Sequence, residues 1–169
     1  SYISNPPLFP IISLYGAILT LEFGLNAWSP FFFGAVAMLT VAGIDQETPA
    51  DTAIGEIRFI KQTRDIMTEM LENPVTVRSR TKALLMSAFI SPWVEPLENG
   101  IALSQDTYNS GYEIGDLLYG AYGDEHFTMQ AFAAGLNLEV FQSKVTHYIA
   151  ELQRIGNETV TQWLLLYLQ

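Results

Sequence analysis

The sequence predicts an all-α protein in which antiparallel helix pairs stack into an α-solenoid of about seven to eight helices. Two patterns and one absence support this prediction. Apolar segments rich in small residues recur every 39 to 48 residues, beginning at Pro30, Arg78, Leu117 and Thr159. Each is followed by a more polar segment with apolar residues at three- and four-residue spacing, which is typical of helix-pair repeats. Alternating strand patterns of useful length do not occur in the sequence.

The helices of the first half are bounded by proline, glycine and capping residues. Pro6 and Pro7 suit a first helical turn, and Gly24 ends the helix that they open. Ser29 followed by Pro30 predicts an N-cap and a first helical position. The predicted helices span residues 8–23, 30–43, 52–71, 78–90, 97–114, 117–134, 137–155 and 159–169.

The later boundaries rest on the same signals. Pro74 ends the third helix, and Pro92 is expected to end the fourth, because proline lacks the N–H that a helix interior requires. Gly115 supplies a left-handed residue after the fifth helix, and Asp116 is the expected N-cap of the sixth. Asn137 is the expected cap of the seventh helix.

The predicted pairs are 30–43 with 52–71, 78–90 with 97–114, and 117–134 with 137–155. Small side chains at comparable places in the first helix of each pair allow close helix packing. These are Gly34, Ala35, Ala83, Ser87, Gly120 and Ala121. This is the packing requirement of a tetratricopeptide-like stack, although the period exceeds the ~34 residues of the standard repeat.

Length and composition indicate one helical-repeat domain, residues 1–169. An apolar content of 49% excludes general disorder. The helices at 8–23 and 159–169 lack a partner within their own pairs, and the latter ends without a cap or a polar tail. We therefore expect the domain to form part of a longer chain.

The charge and the absence of cysteine exclude several classes of function. Eight Lys and Arg against eighteen Asp and Glu give a net charge of −10. A nucleic-acid partner is not expected, because phosphate binding needs a concentrated basic face. Without cysteine the chain has no disulfide, no thiolate metal site and no cysteine nucleophile.

Several turn and packing residues resemble the helical region of large bacterial multidomain sensor kinases. The resemblance rests on Trp93, Pro96-Leu97, Tyr108, the run 111–122 (GYEIGDLLYGAY), Gly135-Leu136-Asn137-Leu138 and Tyr148, and upstream on Asn5-Pro6-Pro7-Leu8-Phe9. In that family, protein-kinase-like and STAND- or AAA-type ATPase segments precede a tetratricopeptide-like region. A GAF sensor domain and a histidine-kinase or cyclase module follow it.

The resemblance implies a scaffold that couples sensing to output and carries no catalytic machinery of its own. No GxxxxGK[ST] phosphate loop, His-Arg-Asp motif or phospho-acceptor helix pattern occurs in the sequence. We expect a non-enzymatic, cytoplasmic module without cofactor or metal. Its partners would be neighbouring domains or another protein, and exposed repeat ends would also allow a homodimer.

The best binding hint in the sequence is a set of aromatic residues that could line a groove. The candidates are Tyr108, Tyr112, Tyr119, Tyr122 and His126. Core packing is the simpler role for most aromatic residues in helix interfaces.

The alternative from another class is a small-ligand- or metal-binding helical domain that uses Asp124, His126 and the tyrosines. Neither His126 nor His147 has a helical partner at the four-residue spacing that metal sites use, which argues against it.

A membrane-associated helical protein is the other alternative. Residues 8–44 contain a single charged residue, Glu22. The two apolar helices there are shorter than the ~20 residues that a membrane span needs, and no Lys or Arg flanks them. We therefore expect these helices to be buried in protein.

Overall fold

The computed structural model describes residues 7–45 and 47–169, and this part of the chain forms eight α-helices with no β-strand. A 3₁₀-helix, Pro74–Ser79, precedes the fourth α-helix. The α-helices are α1 (Leu8–Phe23), α2 (Ser29–Gly43), α3 (Ala50–Met70), α4 (Arg80–Val94), α5 (Leu97–Ile114), α6 (Leu117–Ala133), α7 (Leu138–Arg154) and α8 (Glu158–Leu166). The predicted all-α class and the number of helices are confirmed. The expected role of Pro6 as a helix opener lies outside the described residues.

The helices pack in the order of a pairwise array. α2 contacts α1, α3 and α4; α4 also contacts α3, α5 and α6; and α6 also contacts α5, α7 and α8. The first helices of successive pairs therefore form one row, and each second helix packs beside them. The finer tetratricopeptide-like solenoid geometry stays a prediction.

The apolar core is divided along this array. One cluster joins Ala37 and Val41 of α2 to Ile60 of α3 and Ile90 of α4. A second joins Phe33, Met67 and Ala83 from the same three helices. A third and larger cluster belongs to α6, α7 and α8: Ala121, Phe127, Ala131, Phe141, Val145, Tyr148, Ile149, Leu152, Val160 and Leu164. Each pair thus buries its apolar face mainly against its neighbours, as in repeat proteins.

Two of the predicted boundary residues behave as expected. Gly115 adopts the left-handed conformation after α5, with φ of 78°. The side chain of Asn137 accepts hydrogen bonds from the backbone N–H groups of Glu139 and Val140 and so caps α7.

Ser29 does not cap α2, contrary to the prediction. It is the first helical residue, and its buried hydroxyl lies 2.8 Å from the hydroxyl of Thr20 on α1. It also accepts a hydrogen bond from the backbone N–H of Asn26. The hydroxyl therefore serves the contact between α1 and α2 instead of the helix end.

Pro92 does not end α4, because a neighbouring helix compensates for its missing N–H. The helix continues to Val94 with Pro92 inside it. A proline at this position cannot bond the carbonyl of Ala88, four residues earlier. The Nε2 of buried Gln130 on α6 donates to that carbonyl instead, at 2.8 Å. A side chain 42 positions away in sequence thus allows the helix to pass through a proline.

Gly100 on α5 provides the room for this bridge. A Cβ atom built at Gly100 would lie 2.0 Å from Oε1 of Gln130. A larger residue there would displace the amide from the Ala88 carbonyl. The buried amide of Gln130 therefore lies where α4, α5 and α6 meet.

The outer side of α1 is apolar and exposed, so the expectation that this helix is buried in protein is wrong for most of its surface. Only Ser13, Gly16 and Thr20 of this helix are buried, and a Cβ at Gly16 would meet the ring of Phe32 on α2 at 2.5 Å. Glu22 is the one charged residue among the exposed side chains of this helix, and most of the others are large and apolar: Leu8, Ile11, Ile12, Leu14, Tyr15, Ile18, Leu21 and Phe23 are all exposed. No described helix is long and apolar enough to cross a membrane.

Candidate functional site

The closest backbone approach near the candidate residues lies between α5 and α6. A Cβ at Gly111 would lie 2.5 Å from the Cα of Gly120. A Cβ at Gly123 would lie 2.8 Å from the backbone nitrogen of Tyr108 and 2.9 Å from the carbonyl of Ser104. The absence of side chains at these glycines lets the two helices meet backbone to backbone. This contact brings the residue after Gly123 into the interior.

That residue is Asp124, the central group of the candidate site. Its exposed fraction is 0%, and neither carboxyl oxygen has a hydrogen-bond partner among the described residues. Burial, with a smaller contribution from the charge of Glu151, raises the pKa of Asp124 to about 8. The side chain is therefore mostly an uncharged carboxylic acid at neutral pH.

Three tyrosine rings from α5 and α7 pack together within electrostatic range of Asp124, and we call them the tyrosine cluster: Tyr108, Tyr112 and Tyr148. The ring centroid of Tyr108 lies 4.6 Å from that of Tyr112 and 5.4 Å from that of Tyr148. The Tyr148 hydroxyl accepts a hydrogen bond from Nε2 of Gln105 at 3.2 Å. The buried hydroxyl of Tyr112 has no partner among the described residues.

The hydroxyl groups of the tyrosine cluster are protonated at neutral pH. Burial raises the pKa of Tyr112 to about 12, and the negative charge that Asp124 carries above its own raised pKa adds to the rise. Burial also raises the pKa values of Tyr108 and Tyr148, and the charge of Asp124 makes a smaller contribution in the same direction. Protonated phenols at these positions can donate hydrogen bonds but cannot act as bases. At neutral pH the phenols of the tyrosine cluster and the carboxyl group of Asp124 are therefore mostly protonated.

His126 lies on the same helix as Asp124 but belongs to a different contact. Its ring packs edge-on against Phe89 of α4, with centroids 5.5 Å apart. Burial lowers the pKa of His126 to about 4, and its Nδ1 has no partner among the described residues. His126 is thus a neutral imidazole at pH 7.

A metal centre would need several ligands in one place. Within residues 7–45 and 47–169, no group of three or more His, Cys, Asp or Glu is arranged to hold a metal ion. Asp124 and His126 are two positions apart on a helix, so their side chains point in different directions.

A cluster around one lysine near the start of α6 was not expected from the sequence. The ammonium group of Lys82 on α4 pairs with the carboxylate of Asp116. It also lies 4.3 Å from the ring centroid of Tyr119 and 5.6 Å from that of Trp28. We call these four residues the lysine cluster.

The predicted role of Asp116 as the N-cap of α6 is wrong for its side chain. Asp116 occupies the N-cap position of α6, but its side chain makes no capping hydrogen bond. Its carboxylate is committed to Lys82, which lies 34 positions earlier. No local pattern reveals this pairing, because Lys82 of α4 and the residues at the starts of α2 and α6 meet only in the folded chain.

We expect Lys82→Met to destabilise the chain by about 1 kcal/mol. The variant keeps the aliphatic packing but loses a partly exposed ion pair and two cation–π contacts. Urea unfolding of the parent and the variant measures the difference. As a control, Lys61→Met on the exposed side of α3 should change stability by less than about 0.5 kcal/mol. Equal losses in both variants would contradict this role of the lysine cluster.

Two surface clefts lie away from Asp124. One, of about 410 Å³, is lined by residues from the starts of α6 and α8, including Leu117, Leu118 and Glu158. The other, of about 320 Å³, lies beside the lysine cluster and is lined by Val77, Arg78, Lys82 and residues 114–116. None of the five predicted groove residues lines either cleft.

The five predicted groove residues fall into three contacts. Tyr108 packs on Tyr112, and Tyr119 packs edge-on against Tyr122 with centroids 6.0 Å apart. His126 packs on Phe89. The structure thus brings together Tyr108 and Tyr112 with Tyr148, for which the sequence indicated only a packing role. That these residues line a ligand groove stays a prediction.

Comparisons of the chain with protein families, curated proteins and solved structures find no match. The class of protein is therefore defined by the fold alone, as an all-α array of eight packed helices in the described part of the chain.

Proposed function

We propose that this chain is a non-catalytic helix-stack module of a multidomain signalling protein. In this proposal it contacts neighbouring domains or a partner protein, in the cytoplasm, and couples a sensing domain to an output domain. The observation that carries the proposal is the apolar surface at both ends of the array. Eight large apolar residues of α1 are exposed at one end. At the other end the exposed residues include Phe132, Leu138, Trp163 and Leu166.

Exposed apolar surface on this scale is typical of interaction sites, because a soluble monomer seldom leaves a contiguous patch of more than a few hundred Å². The polar side chains that could catalyse a reaction lie apart from one another or are buried. Asp124 is fully buried, and His126 packs on a phenylalanine. The divided core supports a mechanical role, since small rotations between pairs would move whatever is attached to the ends.

The length of the natural gene product tests this proposal first. Mass measurement of the protein in its native host should give a product well above 18.9 kDa, with ATPase motifs before the array and a sensor or kinase module after it. A natural product that consists of these 169 residues alone would contradict the proposal.

Hydrogen exchange provides the second test. In the 169-residue chain, α1 should exchange its amide hydrogens faster than α4, because most of its surface is exposed. In the longer protein, exchange in α1 should slow by at least about tenfold, since an apolar neighbour would cover it. Unchanged exchange in α1 would show that this surface is not an interdomain contact.

The second candidate function is a small-ligand- or metal-binding helical domain, and the unpartnered carboxyl group of Asp124 favours it. Calorimetric titration with Mg²⁺, Mn²⁺, Ni²⁺ and Zn²⁺ tests it directly. The scaffold proposal expects no saturable binding. Tight binding that is lost in Asp124→Asn or His126→Ala, and retained in the exposed control His147→Ala, would favour the second candidate.

A further inference from the structure

The exposed side of α1 contains a regular apolar stripe. Ile11, Leu14, Ile18 and Leu21 recur at three- and four-residue spacing and therefore share one face of the helix. Their exposed fractions are 63%, 51%, 49% and 76%. The small residues that pack on α2, namely Ser13, Gly16 and Thr20, lie on the other side of α1. We call these four large residues the α1 stripe.

The array itself indicates what belongs on the α1 stripe. α3 packs between two first helices, α2 of its own pair and α4 of the next, and α5 packs in the same way between α4 and α6. α7 repeats this arrangement with α6 and α8. α1 contacts α2, and this contact corresponds to that of α3 with α4, the first helix of the next pair. The remaining side of α1 corresponds to the side that α3 and α5 present to the first helix of their own pairs.

The contact between α2 and α3 shows the chemistry of that interface. Large side chains of the second helix pack on small residues of the first: a Cβ at Gly34 of α2 would lie 2.7 Å from Sδ of Met67 on α3. α2 contains no charged residue and buries Gly34, Ala35 and Ala37. A helix of this kind offers small residues to the large side chains of the α1 stripe.

Charge and area agree with this partner. Residues 8–44 contain a single charged residue, Glu22, in a chain of net charge −10. The partner face therefore needs no basic residues, in contrast to a protein that would recognise the acidic remainder of the chain. Four half- to three-quarter-exposed Ile and Leu side chains, with the flanking Leu8, Ile12 and Tyr15, extend the apolar area along most of the length of α1, as the packing of one helix along it requires.

We infer that the α1 stripe is the docking site for an uncharged apolar helix with a stripe of Gly, Ala or Ser, namely the first helix of the pair to which α1 belongs. The inference rests on the proposed function and specifies the partner of one of its two end faces. The helix packs against both α1 and α2, as α2 itself packs against α3 and α4. Its binding extends the array by one element.

A peptide with the sequence of α2, residues 29–43, tests this inference on the 169-residue chain. Two lysines at each end keep the peptide in solution. A fluorescent label on the peptide should report saturable binding by anisotropy, and a scrambled peptide of the same composition should not bind. No binding of the α2 peptide, or equal binding of the scrambled peptide, would overturn the inference.

Variants locate the binding site. Ile18→Glu should weaken peptide binding at least about tenfold, because it places an unpaired carboxylate in an apolar contact. Ile54→Glu, at an exposed isoleucine of α3, should leave binding unchanged. Far-UV circular dichroism verifies that both variants fold. Binding that survives in Ile18→Glu would place the peptide elsewhere and refute the inference.

Sedimentation velocity distinguishes the second-copy alternative. If the chain forms dimers that Ile18→Glu abolishes and that the α2 peptide does not dissociate, the α1 stripe belongs to a second copy and the inference is wrong. A negative peptide result combined with slowed exchange of α1 in the longer protein would refute only the class of helix. The proposed function fails on different evidence, a gene product of 169 residues.

Discussion

Asp124→Asn is expected to stabilise the chain at pH 8 and above and to abolish most of the loss of stability between pH 6.5 and pH 8. In the parent, burial raises the pKa of Asp124 to about 8, against an ordinary value of 3.8. The folded state therefore keeps a proton that the unfolded state releases. The asparagine amide is nearly isosteric and cannot ionise, so the variant avoids burying a charge.

The direction of the pH dependence follows from proton binding. A raised carboxyl pKa contributes no penalty below the unfolded pKa near 4, and stability then falls as the pH rises toward the folded value near 8. The slope is about 1.4 kcal/mol per pH unit, and the total is of order 3–5 kcal/mol after allowance for relaxation around the buried charge. Above pH 8 this loss levels off, since both states are then ionised.

His126 acts in the opposite direction on the acid side. Burial lowers its pKa to about 4, so the unfolded state binds a proton that the folded state does not. Its contribution is fully present above the unfolded pKa near 6.5 and is lost as the pH falls toward 4. Between pH 4 and pH 6.5 the slopes of Asp124 and His126 therefore oppose each other. The parent should show its decline with pH mainly from pH 6.5 to pH 8.

Urea unfolding at half-unit intervals from pH 5 to pH 9 measures this profile. Asp106→Asn, an exposed carboxylate on α5, is the matched control and should retain the slope of the parent between pH 6.5 and pH 8. A parent whose stability is flat over that interval would show that Asp124 is ionised in the folded state. The assignment of a buried carboxylic acid would then be wrong.

Gln130→Leu is expected to destabilise the chain by about 1–3 kcal/mol, the usual penalty for a buried carbonyl that loses its partner. The amide of Gln130 donates to the Ala88 carbonyl, which Pro92 cannot reach because it has no N–H. Leucine fills a similar volume but cannot donate. Guanidinium unfolding at pH 6, where Asp124 is neutral, measures the loss. The control Gln142→Leu, at an exposed position of α7, should stay within about 0.5 kcal/mol of the parent.

The same bridge predicts a coupling between Gln130 and Pro92. In a Pro92→Ala background, the backbone N–H of residue 92 can bond the Ala88 carbonyl as in any α-helix. Gln130→Leu should therefore cost at least about 1 kcal/mol less in that background than in the parent, which a double-mutant cycle measures. An unchanged cost would show that the amide stabilises the chain by packing alone.

Local signals in the sequence accounted for most of the helix boundaries. The predicted helices 8–23 and 97–114 coincide with α1 and α5. Gly115 ends α5 because its left-handed backbone is accessible to glycine, and Asn137 caps α7 through its own side chain. These features depend on residues close together in the chain, so they can be inferred without knowledge of the tertiary contacts.

The errors concern residues whose polar groups are used by another helix. Pro92 was expected to stop α4, yet Gln130 of α6 satisfies the carbonyl that the proline leaves free. Ser29 and Asp116 were expected to cap helices, but their side chains pair with Thr20 and Lys82. A local rule cannot anticipate a partner that arrives from elsewhere in the fold.

The candidate site shows the same division. The tyrosines and Asp124 are visible in the sequence as polar and aromatic residues on helices, but the sequence alone does not indicate which of them are buried. The backbone contact at Gly111, Gly120 and Gly123 decides that Asp124 faces inward and His126 faces Phe89.

The sequence by itself thus determined the all-α class, the number of helices and most of their ends, because apolar periodicity and capping act within a few residues. Only the tertiary structure decided which carboxyl group stays protonated, which amide bridges the proline and which face of α1 is left for a partner. The reason is physical: burial, hydrogen-bond partners and desolvation are set by what packs on a residue, and in this chain those neighbours come from other helices.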